Sequence, residues 1–314
     1  MVGAKQTDGY GPLILTQTPH TTPTIANAAA RLVLNIAKKQ ANYLLKGTKM
    51  PLFNSAMSDF TGGSDHYILS DPTVNIPTLM LGQWPDKYYH TSGDTAEVLS
   101  ADTLTVSASL AAMFAVLMSQ MDREDVPMLI GELQQLMMQD ITRLDNDAQS
   151  GALKPEQLGK ACAQLKQYYA DCAEDIFNFL PEVPELEAEK NFLAGVCDMA
   201  QVRLQQRMGG IQTAAQHQGP APVRKYAMPI DSWVAVLDTP EKKAAMDQFK
   251  KNEEKHMNYP HSVEILTQYY IDGKRPLEEV VECVSIDCRE SDRDAIRAYI
   301  RLLTDMDLVA LPEE

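Results

Sequence analysis

The sequence lacks the features that mark exported, membrane-spanning or disulfide-bonded proteins. No run approaches the roughly 18 consecutive apolar residues of a membrane-spanning helix. The first residues, MVGAKQTDGYG, contain one lysine and no apolar segment like that of a signal peptide. The cysteines are odd in number and absent before Cys162, which is typical of reduced thiols. We therefore expect a cytoplasmic protein without a membrane partner.

Basic residues are also scarce, with 28 Lys and Arg against 43 Asp and Glu and a formal net charge of -15. Binding to a nucleic acid relies on clustered Lys and Arg that displace counterions from phosphates, so we expect no nucleic acid partner. The motifs of several enzyme classes are missing as well. The sequence has no G-x-S-x-G nucleophile elbow, no Walker A lysine loop and no G-x-G-x-x-G after a predicted strand.

Hydrophobic patterning predicts part of an α/β layer over residues 1–121. Short apolar runs indicate strands, and apolar or small residues at helical spacing indicate helices. The predicted elements are a strand at 11–18, a helix from Thr22 to Gly47, strands at 51–55 and 76–81, and a helix at 100–121. The run at 76–81 is compact enough to predict a strand that is buried on both faces of a sheet.

The rest of the chain has a helical pattern. Residues 122–227 predict an all-α segment that ends in a Gly- and Pro-rich linker at 209–227. Residues 228–314 form a third predicted unit, which closes with three short helices and a strand and so resembles a winged-helix module. Such modules usually bind DNA, but the acidic composition favours a structural or dimerising role. We therefore expect that the helical regions could mediate homo-oligomerisation.

One stretch, residues 62–95, concentrates side chains that can do chemistry. Its sequence is GGSDHYILSDPTVNIPTLMLGQWPDKYYHTSGDT. The predicted strand within it ends near Gly82, which places His90 beyond the carboxyl end of a strand, where open α/β sheets bind ligands. Imidazole is a standard zinc donor, and Asp94, four residues later, could accept the other ring N–H.

Several motifs in this stretch carry a family resemblance. They are Gly63-Ser64-Asp65-His66, Asp71-Pro72-Thr73, Ile76-Pro77 and Tyr89-His90-Thr91-Ser92-Gly93-Asp94-Thr95. In order and spacing they resemble the C-terminal half of the co-catalytic dizinc aminopeptidases, the metallopeptidase family that also includes glutaminyl cyclases and glutamate carboxypeptidases. The run GQWPDKYYHTSGDT is especially similar to an aminopeptidase-like subgroup with additional C-terminal helical parts. The resemblance covers about the first 120 residues.

The resemblance implies a zinc-dependent aminopeptidase that removes N-terminal residues from a peptide substrate with a metal-activated water. By position, His90 corresponds to the last zinc ligand. Asp65 and His66 correspond to the loop at the rim of the substrate pocket, and Tyr89 to a pocket wall. Asp94 corresponds to the Asp that follows this histidine, and it would accept a hydrogen bond from the ring nitrogen that does not bind zinc. The catalytic residue is unknown, because nothing in this sequence corresponds to the general base.

The sequence departs from the family pattern at its start. The other zinc ligands of the family lie in earlier motifs, and Met1-Val2-Gly3 resembles the last of these, Asp-Met-x-Gly, without its Asp. We therefore expect a truncated reading frame, at most a partial site for the two zinc ions, and a chain that is inactive as it stands.

Two alternatives remain open. A substitute metal site could use Asp65, His66, Asp86, His90 and Asp94, although no H-x-x-x-H or similar pairing fixes two donors on one rigid element. The chain could instead be a non-catalytic interaction or scaffold protein that uses its helical and winged-helix-like regions.

Overall fold

The computed structural model describes residues 2–6, 11–44, 53–182, 186–208, 217–230, 232–252, 261–289 and 292–312. The first region is residues 2–121, the second is 122–208 and the third is 217–312. Helices dominate, and a small mixed sheet lies in the first region, so the predicted α/β class is confirmed.

The first region contains a three-stranded sheet. Strand β1 (Leu13–Thr16) pairs in parallel with β2 (Ser55–Ser58) and antiparallel with β3 (Met80–Gln83), which gives the order β2-β1-β3. The second strand thus lies later than predicted, and residues 51 and 52 of that prediction are outside the described residues.

The prediction of a strand at 76–81 that is buried on both faces is wrong. The strand begins only at Met80, and as an edge strand it is mostly half-buried. Ile76 is 53% exposed and donates its N–H to the carbonyl of Leu69 instead of to the sheet. Pro77 follows and has no N–H to donate to a neighbouring strand, which weakens pairing at this position.

Two helices pack on this sheet and confirm the predicted helices. Helix α1 (Ala26–Leu44) and helix α3 (Ala101–Gln120) share an apolar cluster with β1. Its members include Leu13, Leu15, Val33, Leu34, Val106 and Leu110. The short helix α2 (His66–Leu69) lies between β2 and β3 in the chain.

Helix α3 is long and apolar enough to cross a membrane by length and composition. The search for uninterrupted apolar runs in the sequence did not detect it, because the helix also contains polar residues. Only 22% of its apolar window is buried, because only one face of the helix has neighbours. Ala108, Ala111 and Ala112 are exposed, so these small residues do not mark a close contact with another helix among the described residues. Length and composition alone are weak grounds for a membrane span, since core helices of soluble proteins can meet the same criteria.

The second region is a helical bundle, as its pattern predicts. Helices α4 (Val126–Ser150), α5 (Pro155–Glu174) and α7 (Glu187–Met208) pack on one another, and the four-residue helix α6 (Ile176–Phe179) follows α5. Their core also takes in Ile25 and Ala28 of the first region, so the bundle and the α/β layer share apolar contacts.

The third region contains the predicted three helices and terminal strand, preceded by two more helices. The elements are β4 (Val223–Arg224), α8 (Trp233–Val236), α9 (Pro240–Asn252), α10 (His261–Tyr270), α11 (Leu277–Cys288), α12 (Arg293–Asp305) and β5 (Val309–Ala310). Strand β4 pairs antiparallel with β5, although it lies in the predicted linker. Residues 209–216 of that linker are outside the described residues. The winged-helix assignment stays a prediction.

Candidate functional site

The loop that follows β3 presents His90 at the surface. The ring of Tyr89 stacks on the imidazole with centroids 3.7 Å apart, and Trp84 packs edge-on against Tyr89 at 5.6 Å. His90 has a φ of 57°, in the left-handed region that residues other than glycine seldom adopt. The imidazole is exposed, so a ligand could reach it, and its role in binding metal stays a prediction.

The two acidic residues of this loop have different surroundings. Asp86 is buried, and its Oδ1 accepts a hydrogen bond of 2.9 Å from the N–H of Tyr88. Its Oδ2 has no hydrogen-bond partner among the described residues. Asp94 is exposed, and within the described ranges no hydrogen bond joins its side chain to His90. The support of His90 by Asp94 stays a prediction.

The loops that carry His90 and Asp65 leave the sheet at opposite ends of its strands. Gln83, the last residue of β3, pairs with Leu13 at the amino end of β1, and the next residues reach Gly11, whose N–H donates to the carbonyl of Pro85. The Asp65 loop instead follows the carboxyl end of β2. Four strand residues span roughly 10 Å, and β1 lies between β2 and β3, so the two loops start farther apart than that.

Asp65 and His66 sit in different environments although they are neighbours. Asp65 is exposed, whereas the ring of His66 is buried, with Nε2 2.7 Å from the carbonyl oxygen of Thr61. Burial lowers the pKa of His66 and outweighs its hydrogen bonds, so the neutral ring donates to Thr61. His66 thus lies in the interior, and its predicted contact with substrate remains untested.

These residues do not fit a hydrolytic zinc centre. Such a centre needs about three protein ligands and an open position for water. Among the described residues, no group of three His, Cys, Asp or Glu side chains could hold a metal ion. The described part of the loop provides the exposed imidazole of His90 and the Oδ2 atom of Asp86, which has no hydrogen-bond partner among the described residues. Two such groups are too few to hold a zinc ion for hydrolysis. The predicted substitute site is not formed either.

Asp71, a residue of the family-like motifs, has a structural partner that local sequence pattern cannot predict. Its carboxylate forms two hydrogen bonds of 2.7 Å with the guanidinium of Arg224 in β4. Asp71 is 0% exposed and the Arg224 side chain 4%. Thr73 donates its N–H and its hydroxyl to Asp71 Oδ1, each at 2.7 Å. The pair therefore fastens the third region to the α/β layer.

A second charged junction, at His20, joins all three regions. Nδ1 of His20 lies 3.1 Å from Oδ1 of Asp287 in α11, and Nε2 lies 3.9 Å from Oδ2 of Asp140 in α4. The ring also packs on Tyr168 of α5, with centroids 4.4 Å apart. Nothing in the local pattern around His20 indicates these partners, because each is more than 100 residues away in the chain.

Residues 7–115 match the model of peptidase family M28. About a third of the chain is therefore similar to part of a domain of this peptidase family, which supports a hydrolase. No curated protein and no solved structure gives a significant match to the chain.

Proposed function

We propose that the chain carries part of a zinc-dependent aminopeptidase-like hydrolase and is catalytically incomplete by itself. The observation that supports this function is the match of residues 7–115 to peptidase family M28, within which the His90 loop lies exposed at the end of β3. In this proposal His90 is one metal ligand, and Tyr89 forms a wall of the substrate pocket beside it.

The incompleteness follows from the donor set. A zinc-bound water becomes a nucleophile near neutral pH only when protein ligands hold the metal with a position left open. The described residues bring no three such donors together. The remaining ligands and the general base must therefore come from elsewhere.

The second candidate is a non-catalytic scaffold, and a specific observation favours it. The motifs that would border a substrate pocket also hold the third region: Asp71 binds Arg224, and the hydroxyl of Tyr269 donates to the carbonyl of Tyr67. These contacts hold the α/β layer and the third region together, which a scaffold that binds a partner needs even if it has no catalytic activity.

The test compares this chain with the product of its gene extended upstream of Met1. With added zinc, the extended protein should release p-nitroaniline from L-leucine p-nitroanilide, while the present chain should not.

His90→Ala in the extended protein should lower hydrolysis by at least about 100-fold, because loss of an outer-sphere partner alone costs 10- to 100-fold. His217→Ala is the matched control, since His217 binds Glu282 in the third region and should retain activity. No zinc-dependent hydrolysis by the extended protein, or activity that His90→Ala leaves unchanged, would overturn the hydrolase proposal and leave the scaffold. Hydrolysis by the present chain that depends on zinc and His90 would contradict the incompleteness.

A further inference from the structure

We infer that two copies of this chain associate through helix α7, whose outward apolar seam packs antiparallel on the same seam of the second copy. The seam consists of Ala188, Phe192, Gly195, Met199 and Val202. This inference goes beyond the proposed hydrolase function, because the seam lies outside the part of the chain that matches the peptidase family and requires no metal.

Helix α7 has two apolar faces. One face packs in the bundle and contains the buried residues Leu193, Cys197 and Leu204. At about 100° per residue, the seam lies on the opposite side of the helix. There Phe192 is 54% exposed, Met199 66% and Val202 51%. A helix that packs on one side only normally carries polar residues on the other, so the second apolar face indicates a further packing partner.

The spacing along the seam is that of a coiled coil. Successive members are four, three, four and three residues apart, which is the heptad pattern of two helices that pack side by side at a shallow angle. A helix that only covers a globular core has a wider apolar stripe with a period of 3.6 residues. The partner of the seam is therefore another helix, which runs nearly parallel or antiparallel to α7.

The seam is complementary to itself when the two helices run in opposite directions. Met199 then lies opposite Gly195 of the second copy, and Phe192 lies opposite Val202, so the larger side chains meet smaller ones. The space beside Gly195 is open, since a side-chain carbon placed there would meet no neighbouring element within 4 Å among the described residues. In a parallel pair each residue would face its own copy, and two opposed glycines would leave a gap.

The charges beside the seam also fit the antiparallel direction. Glu189 and Arg203 lie on one flank of the seam, two heptads apart, and no ion pair joins either of them to another described residue. In the antiparallel pair Glu189 lies beside Arg203 of the second copy, and the two-fold symmetry forms this contact twice. Asp198 lies on the other flank near the centre, and Lys166 of α5 compensates its charge at 2.9 Å.

The seam is short, so the association should be weak. A helix rises about 1.5 Å per residue, which makes the distance from Ala188 to Val202 only about 21 Å. Interfaces of this size lie at the low end of those that form specific complexes, and we expect a Kd of about 10 μM. In sedimentation equilibrium between about 1 and 200 μM, the average mass should rise from that of one chain, 34.9 kDa, towards twice this value.

Met199→Glu should weaken the dimer at least about 100-fold, because it places a carboxylate in the apolar contact on both helices. Met199 is exposed in the single chain and Glu is a good helix former, so the fold should be retained, which circular dichroism checks. The matched control is Val116→Glu on α3, at an apolar residue that is 54% exposed, and this variant should dimerise as before. A chain that stays monomeric over this range, a dimer that Met199→Glu leaves intact, or a dimer that Val116→Glu disrupts would overturn the inference.

Charge reversal tests the antiparallel direction. Arg203→Glu should weaken the dimer about tenfold, because each Glu189 would then lie beside a second carboxylate. The double variant Glu189→Arg/Arg203→Glu restores the attraction in the antiparallel pair and should recover the affinity. If the double variant associates as weakly as Arg203→Glu, the helices do not pack antiparallel and the inference is wrong. None of these measurements depends on zinc or hydrolysis, so their outcome is independent of the peptidase assay.

Discussion

Asp71→Asn is expected to lower the free energy of unfolding by about 3–5 kcal/mol, the usual loss when one partner of a buried ion pair is removed. The guanidinium of Arg224 would stay buried with its charge uncompensated, since its side chain is only 4% exposed. Asn keeps an oxygen for the two hydrogen bonds from Thr73, so the loss would report on the charge pair. Urea denaturation measures it.

A neighbouring pair provides the control for this prediction. Lys225, the residue after Arg224, binds Asp307, which precedes β5, and both side chains are exposed. Exposed pairs contribute little because water screens them. We therefore expect Asp307→Asn to leave the denaturation curve unchanged, and an equal effect of Asp71→Asn and Asp307→Asn would contradict the assignment of Asp71.

The double variant Asp71→Asn/Arg224→Met separates the lost attraction from the unpaired charge. Methionine fills part of the space of the arginine stem without a charge, so the double variant should recover more than half of the stability that Asp71→Asn loses. If it is instead less stable than Asp71→Asn, the penalty arises from lost packing around Arg224 and not from its charge.

Local pattern was sufficient to predict most helices and two strands of this fold, β1 and β5. The helical spacing that begins near Thr22 and the small-residue run after residue 100 gave α1 and α3, because such periodicity arises from packing on one face. The strand β3 was misplaced because its apolar run continues through Pro77. The exposure of α3 could not be predicted, since composition does not say how many neighbours a helix has.

The candidate site was predictable only as a set of residues. The motifs around Asp65 and His90 are recognisable in sequence, and the match to a peptidase family supports their interpretation. Their separation depends on β3 running antiparallel to β1, and strand direction is a tertiary property. The role of Asp71 depends on Arg224, which lies 153 residues further along the chain.

Stability is expected to fall as the pH rises above about 6.5, because the fold favours the charged form of His20. Burial lowers the pKa of His20, but the charge of Asp287, its hydrogen bond and the charge of Asp140 together raise it above the ordinary value of 6.5. The stabilisation is thus complete below the pKa of the unfolded chain and is lost as the pH passes through the raised pKa of the folded state.

The carboxylate of Asp287 sets the lowest pH at which the His20–Asp287 pair stabilises the fold. Burial raises the pKa of Asp287, but the charge and hydrogen bond of His20 and a hydrogen bond from Tyr270 lower it below the ordinary value of 3.8. Its contribution is present above that value and is lost as the pH falls through the lowered pKa. The His20–Asp287 pair should therefore stabilise the protein most between about pH 4 and 6.5.

The other charged side chains around the junction are paired with one another. Arg143 binds Asp140 at 2.8 Å and Asp59 at 2.5 Å. Arg289 lies 3.5 Å from Asp59 and 3.1 Å from Asp147. His20 is the group of this cluster whose ordinary pKa lies near neutrality, so the loss of stability above pH 6.5 is assigned to it.

His20→Gln tests this assignment. At pH 6 the variant should be less stable by about 1.5–3 kcal/mol, the contribution of a hydrogen bond to a charged group, and by pH 9 most of that difference should have disappeared. Urea denaturation at a series of pH values measures the difference. His90→Gln changes an exposed histidine and leaves the junction intact, so its curve should follow that of the unsubstituted protein. A His20→Gln deficit that stays constant from pH 6 to 9 would mean that His20 stabilises the junction by packing on Tyr168, and not by its charge.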